Sequence, residues 1–321
     1  MKIFIFNSVL FLCSLGVRAQ AGFYNHGMDI TIPTGNAIHI SGDYVHDSIV
    51  GKKQEKISST GELYLTGDFI NNTYDSVFNT KGTVIFNGNS SQQIISKKPT
   101  FFYNLKVGKS ADKVELLQTI HVASELEIVS GNIHLNSYDI NLDSTGTLLG
   151  ETNTSRIYGE DGVIRASNRP LSGKLLDIAG LGFGLDGNLT SGTIERGHSF
   201  RAGAGTGGIL RYYKITSTID SGVVEHLSSL WIDYFNSNES VGKNHGKLAV
   251  WQSDNNGVLW DPLFTDPPTD TISGTVELLT RDVAVTDGLT IFTIAERECD
   301  QLPQVNLGLD LVYLCEGDTL T

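Results

Sequence analysis

Four segments of this chain begin 21 residues apart: LYLTGDF at Leu63, VIFNGNS at Val84, LKVGKSA at Leu105 and LEIVSGN at Leu126. A degenerate IHISGDY precedes them at Ile38, and a related run follows at Leu148. A repeat of about twenty residues with short apolar alternations and Gly/Asn turns predicts stacked coils of a β-solenoid. In each segment the first and third residues are apolar: Leu63/Leu65, Val84/Phe86, Leu105/Val107 and Leu126/Ile128. Period two turns these side chains to one face, the coil interior. The residues between them, Tyr64, Ile85, Lys106 and Glu127, are expected to face outward as a ladder with about 4.8 Å per rung. Lys106 beside Glu127 then forms an exposed pair worth less than about 1 kcal/mol.

Further alternations fall between these anchors. Val114/Leu116, Ile120/Val122, Ile133/Leu135 and Ile140/Leu142 supply the other faces of each coil. Gly61, Gly67, Gly82, Gly88, Gly108, Gly131 and Gly146 are read as corners, where a positive φ favours glycine. The repeat weakens after Gly162. Residues 171–208, with GLGFGLDGN and RAGAGTGG, read as a closing cap and a flexible crossing. From Ile209 the runs LRYYKIT, LWIDYF, LAVWQSD, VELL and LTIFTIAE are irregularly spaced and aromatic, which suggests a β-sandwich. The expected fold class is all-β, a parallel β-helix-like solenoid followed by a β-sandwich domain. The boundaries are a signal peptide over 1–19, the β-helical repeat over 20–202, the sandwich over 203–296, and a linker with a truncated strand pattern over 297–321.

The signal peptide rests on Lys2, an apolar run from Ile3 to Leu15, and small residues around Val17-Arg18-Ala19, with cleavage after Ala19. Leu12 before Cys13 argues against a lipoprotein site. The apolar run is too short to span a membrane, and no later run reaches the necessary length. Cleavage removes Lys2 and Arg18 and no acid, so the net charge moves from −13 to −15. Such a surface repels nucleic acid and anionic lipid and favours solubility. Cys299 and Cys315 remain, and an exported protein can oxidise them.

At this point the chain resembles the N-terminal part of large secreted cell-surface proteins of Bacteroidetes-type bacteria. GELYLTGDFINN, GTVIFNGNSSQQI and FFYNLKV carry the resemblance, with the order LRYYKIT, LWIDYF, LAVWQSDNNGVLW and then LTIFTIAE. PQVNLGLDLVYLCEGDTLT is similar to the opening of an Ig-like domain. The resemblance implies export through a Sec signal and often the type IX secretion system. It also implies a β-helical repeat joined to sandwich and Ig-like modules, and a C-terminal sorting or gliding-motility-associated domain. Neither a complete Ig-like domain nor a sorting domain stands in the sequence as given.

Catalytic chemistry is sought and not found. A glycosidase needs two carboxylates across a cleft, and Tyr64, Ile85, Lys106 and Glu127 supply no such set. Asp43, Asp68 and Asn89 occupy matching places and read as corner residues bonding their own backbone. His39 and His134 read as outward strand residues without zinc-ligand spacing. GAGTGG at 203–208 lacks the ending of a phosphate loop, and Ser191 and Ser199 lie in no nucleophile elbow. Asp254-Asn255-Asn256-Gly257 reads as a turn. Trp231, Trp251 and Trp260 read first as core anchors, or as a sugar platform if exposed beside Tyr212, Tyr213 or Tyr234. Tripeptides at Asp47, Asp75 and Asp270 are similar to the O-glycosylation motif of these bacteria. The expectation is therefore a secreted or outer-surface structural, adhesin-like protein, not an enzyme. No catalytic, cofactor-binding or metal residue is assigned. Surface glycans or other cell-surface proteins are the expected partners, with no nucleic acid and no membrane span. A carbohydrate-active or carbohydrate-binding β-helix is the alternative.

Overall fold

The computed structural model describes residues 22–26, 28–47, 57–73, 81–217, 225–263, 269–270, 275–285 and 289–297. The signal segment, both cysteines and the Ig-like start lie outside these residues. So do the tripeptide at 75–77 and parts of those at 47–49 and 270–272.

The described residues between Phe23 and Ala166 wind a parallel β-solenoid of about six turns with three strand faces. On the first face the register runs Ile38, Leu63, Val84, Leu105, Leu126 and Leu148. The steps between these partners are 25, 21, 21, 21 and 22 residues, so the sequence spacing is one turn of the coil. On the second face Tyr44, Phe69, Ile94 and Leu116 align, and Val114, Ile133 and Ile157 align beside them. On the third face Thr100, Ile120, Ile140 and Ile164 align, and Phe102, Val122, Leu142 and Ala166 do the same.

The inward residues of these ladders are almost all fully buried. Each buried Leu, Ile or Phe contributes about 1.5–3 kcal/mol by leaving water, and no single rung could bury its own apolar face. Stacking carries the aromatic interior as well: the Tyr44 and Phe69 rings lie 5.5 Å apart and Phe69 meets Phe102 edge-on at 5.4 Å.

The corner glycines act differently from expectation. Of the seven, only Gly131 has a positive φ. Six of them share close approach to another turn, while Gly108 faces open space. A β-carbon on Gly67 would lie 2.3 Å from the carbonyl carbon of Gly42 on the preceding rung. Side chains would hold those corners apart and stop the ladder from closing.

Parallel pairing ends earlier than the expected boundary at 202. The strand Val163–Leu175 pairs in parallel with Ile140–Leu142 on one side and antiparallel with Phe183–Gly197 on the other. Phe183–Gly197 then divides. Its end at 192–197 pairs with Gly208–Ser217, and its start at 183–186 pairs with Glu225–Phe235. One arm continues through Thr290–Glu296 to Leu248–Ser253, and the other through Thr275–Val285. The arms meet where the Phe183 ring lies 4.9 Å from that of Tyr213 and 6.2 Å from that of Phe292. The antiparallel strands thus continue the solenoid sheet, and one apolar cluster runs from Ile32 to Ile294. Of the Gly-rich stretch read as a cap, 176–182 is the tip of the hairpin between Val163–Leu175 and Phe183–Gly197. Ala179 accepts a hydrogen bond from the Leu148 amide at 2.9 Å, and Ile178 and Leu181 are buried.

Gly180 sits in that tip with φ +72°, and a β-carbon there would fall 1.8 Å from the Leu148 carbonyl oxygen. Gly180→Ala is expected to cost about 2 kcal/mol through left-handed strain and the lost contact. Urea unfolding checks this, and a variant as stable as wild type would show that the tip does not close the solenoid.

Candidate binding surface and buried charged joint

The outward ladder of the first face is chemically mixed. Lys106 Nζ meets Glu127 Oε2 at 2.8 Å, with both side chains more than a third exposed. A double-mutant cycle with Lys106→Ala and Glu127→Ala should return a coupling under about 1 kcal/mol that fades in salt; a coupling several times larger would contradict an exposed pair. His39 stacks on Tyr64 at 4.3 Å. Ile85 departs from expectation: it is only 4% exposed, because the long Tyr64 and Lys106 side chains flank it on adjacent rungs.

The corner acids also act differently. Asp43 Oδ1 accepts from the amide of Asp68 at 2.8 Å, and Asp68 Oδ1 accepts from the amide of Gln93 at 2.7 Å. Each carboxylate therefore caps the next turn. Asn89 accepts from the Ser110 hydroxyl of the following turn at 2.7 Å. His134 lies tilted against Tyr158 at 4.8 Å. A buried ladder that the sequence reading missed runs beside these corners. Lys109 donates to the carbonyls of Gly88 and Ser90 and to Gln92 Oε1 at 2.7–3.0 Å, while Gln92 Nε2 donates to the Leu65 and Gly67 carbonyls.

The GAGTGG turn is pinned and not a free crossing. Thr206 donates to the Glu296 carbonyl, and Glu296 donates back to that of Gly207. Trp251 is a core anchor, 4% exposed, with its indole N–H on the Ala295 carbonyl at 3.2 Å. Trp260 is half-buried and donates to the Ala202 carbonyl. Tyr212, Tyr213 and Tyr234 are buried, so they form no exposed sugar platform with the tryptophans. Asn255 Oδ1 accepts from the amides of Val258 and Leu259, which confirms turn chemistry at 254–257. Ser191 lies in the strand Phe183–Gly197, opposite Pro170.

Two groupings were not read from the sequence. The first is the outward ladder of the third face. Phe101, His121, Asn141, Arg165, Glu195 and Lys214 stand in register on six successive strands, crossing from solenoid to antiparallel sheet. Phe101 stacks on His121 at 4.2 Å, and Asn141 Nδ2 and His121 Nε2 are 3.4 Å apart. Arg165 donates to Asn141 at 2.9 Å, Asp139 at 3.2 Å and Glu195 at 2.8 Å, and Lys214 lies 3.7 Å from Glu195. The signal was present: these residues fill the outward places of the alternations around Ile120/Val122 and Ile140/Leu142.

The second grouping is a buried charged joint where the solenoid meets the two arms. Arg211 donates from Nε and Nη2 to Glu239 Oε1 at 3.0 and 2.8 Å, and from Nη1 to the Asp233 carbonyl at 2.7 Å. Glu239 Oε2 accepts from the Phe235 amide, closing the short helix Asn236–Glu239 back on its strand. Arg196 Nη1 meets Glu151 Oε2 at 2.7 Å, and Glu151 Oε1 also accepts from the Ile157 amide. Burial lowers the Arg211 pKa, but Glu239 more than offsets this and holds it above the usual arginine range. Burial pushes Asp177 up, opposed by the Gly182 amide. Asp233 rises to about 6, through burial first and then through Glu277. His198, buried among Arg196, Arg211 and Arg156, falls well below the usual histidine range and stays neutral.

Among the described residues no three or more His, Cys, Asp or Glu side chains converge as a metal site, and no helix is long and apolar enough to cross a membrane. No protein-family model, curated protein or solved structure matches the chain. What is established is the class: an all-β protein built on a β-solenoid of about six turns.

Proposed function

We propose that this protein is a secreted or cell-surface structural protein of adhesin-like character, in which the solenoid serves as a stiff scaffold and its outer ladders as the contact surface. The observation that carries the reading is the uninterrupted apolar cluster from Ile32 to Ile294, locked at its joint by buried ion pairs. A stack whose turns share one core resists bending between units. Arg211 and Arg196 are spent on Glu239 and Glu151, which suits a structural role for the joint. The signal-like segment and the resemblance to Bacteroidetes-type surface proteins support export, with sandwich and Ig-like modules as the proposed wider architecture. Surface glycans or other cell-surface proteins are the proposed partners.

Fractionation of cells producing the full chain tests this. The protein is expected in the extracellular or outer-surface fraction with its first residue at Gln20. Retention in the cytosol with residues 1–19 intact would overturn the proposal. Release of reducing ends from any member of a polysaccharide panel would overturn its non-enzymatic part and favour a carbohydrate-active β-helix. Carbohydrate binding without cleavage is favoured by one observation, the polar groove beside the third-face ladder.

A further inference from the structure

We propose that the groove between the third-face ladder and the bulge at Ser167–Asn168 binds a neutral glycan chain. The proposal rests on the adhesive-surface reading and names the ligand class that surface takes. The open groove holds about 500 Å³ and is lined by His121, Asn141, Asp143, Ser144, Ser167 and Asn168. Its groups are amides, hydroxyls, an imidazole and one carboxylate, so donors and acceptors alternate as the hydroxyls of a sugar require.

An aromatic ring backs the groove from the neighbouring rung. Phe101 is 39% exposed and stacks on His121, which lines the groove. Phe101 thus orients the imidazole from the neighbouring rung, while the amides and hydroxyls of the groove take the oxygens of the sugar.

The walls are built and held. Between Ala166 and Arg169 the register slips against Phe183–Gly197, and this bulge pushes Ser167 and Asn168 out of the ladder. Asn168 holds a left-handed φ of 55°. Bulges of this kind re-aim side chains beside binding sites. The next residue, Arg169, is 8% exposed and donates to the carbonyls of Asp143 and Gly146, fixing the opposite wall.

Charge selects the sugar class. Asp143 lies 3.5 Å from His121 Nδ1. The guanidinium on the next rung, Arg165, is already held by Asp139 and Glu195. A uronic acid therefore gains no cation and meets a carboxylate, whereas a neutral hexose or pentose chain meets hydrogen-bonding groups alone.

The test is titration of the isotope-labelled full chain with cellohexaose, xylohexaose, laminarihexaose and chitohexaose, with hexagalacturonate as the acidic arm, followed by amide chemical shifts. At least one neutral oligosaccharide should move the amides of His121, Asn141–Ser144 and Ser167–Asn168. Phe101→Ala and Asn141→Ala should each weaken binding by about tenfold or more, with Val241→Ala, exposed in the antiparallel arm, unchanged. Melting curves establish that the variants remain folded. The proposal fails if no neutral oligosaccharide binds at about 10 mM, if hexagalacturonate binds tightest, if shifts map elsewhere, or if both groove variants bind as wild type. A surface-exported protein that binds none of the neutral sugars loses this inference only; a cytosolic one that binds them loses the surface reading instead.

Discussion

Arg211→Ala is expected to lower the unfolding free energy by about 3–5 kcal/mol, the range for removing one partner of a buried ion pair. The substitution takes two hydrogen bonds from Glu239 Oε1 and one from the Asp233 carbonyl. Glu239, whose side chain is fully buried, then keeps only the Phe235 amide and the more distant Arg156, 3.7 Å away. The cost is the stranded carboxylate more than the lost attraction. Replacing both partners, Arg211→Met with Glu239→Leu, should therefore recover most of the loss. Arg211→Lys should not, because a single ammonium cannot present two donors to Glu239 and a third to Asp233 in one plane. Urea unfolding of the three variants decides the matter. A loss below about 1 kcal/mol for Arg211→Ala would mean that the joint is wet and that the pair does not hold the arms to the solenoid.

Asp233→Asn is expected to stabilise the protein above neutral pH. The Asp233 carboxyl has its pKa raised from 3.8 to about 6 by burial first, then by Glu277 across the strand pair and by Asp177 from the hairpin tip, with Arg211 opposing them. Its Oδ1 is buried without a hydrogen-bond partner, so the amide loses little. Because the folded pKa lies above the unfolded one, the contribution of Asp233 is fully present below about pH 4 and is lost as pH rises through 6. The shift corresponds to roughly 3 kcal/mol. Asp233→Asn should thus match wild type near pH 4 and exceed it by up to about that amount at pH 8. Denaturant midpoints across this range test it, and a difference that does not grow with pH would rule out an ionised, desolvated Asp233.

The solenoid was legible because its signal is local and repeated. Leu63, Val84, Leu105 and Leu126 sit one coil apart, and period two assigned them to the interior before any contact was known. The Lys106–Glu127 pair followed from the same alternation. Ile85 did not, since its cover comes from long side chains on adjacent rungs. The corner glycines were placed well but for a different reason, because close approach between turns leaves no mark in a single turn of sequence. The earlier start of antiparallel pairing was hidden too: the alternation of Val163–Ala166 is the same whether its next neighbour runs parallel or antiparallel.

The candidate sites divide the same way. His121 and Asn141 could have been placed on an outer ladder from their flanking Ile120/Val122 and Ile140/Leu142. The bulge that lifts Asn168 beside them depends on the register with Phe183–Gly197. Arg196, Arg211, Glu151 and Glu239 are scattered over some ninety residues and carry no motif. The amino-acid sequence alone determined that this chain is all-β, coils with a 21-residue turn and buries one face of each alternation, because those properties depend on neighbours within one repeat. Only the tertiary structure decided where the coil ends, how the arms lock to it and where a polar groove opens, because each of these depends on which distant strands become neighbours.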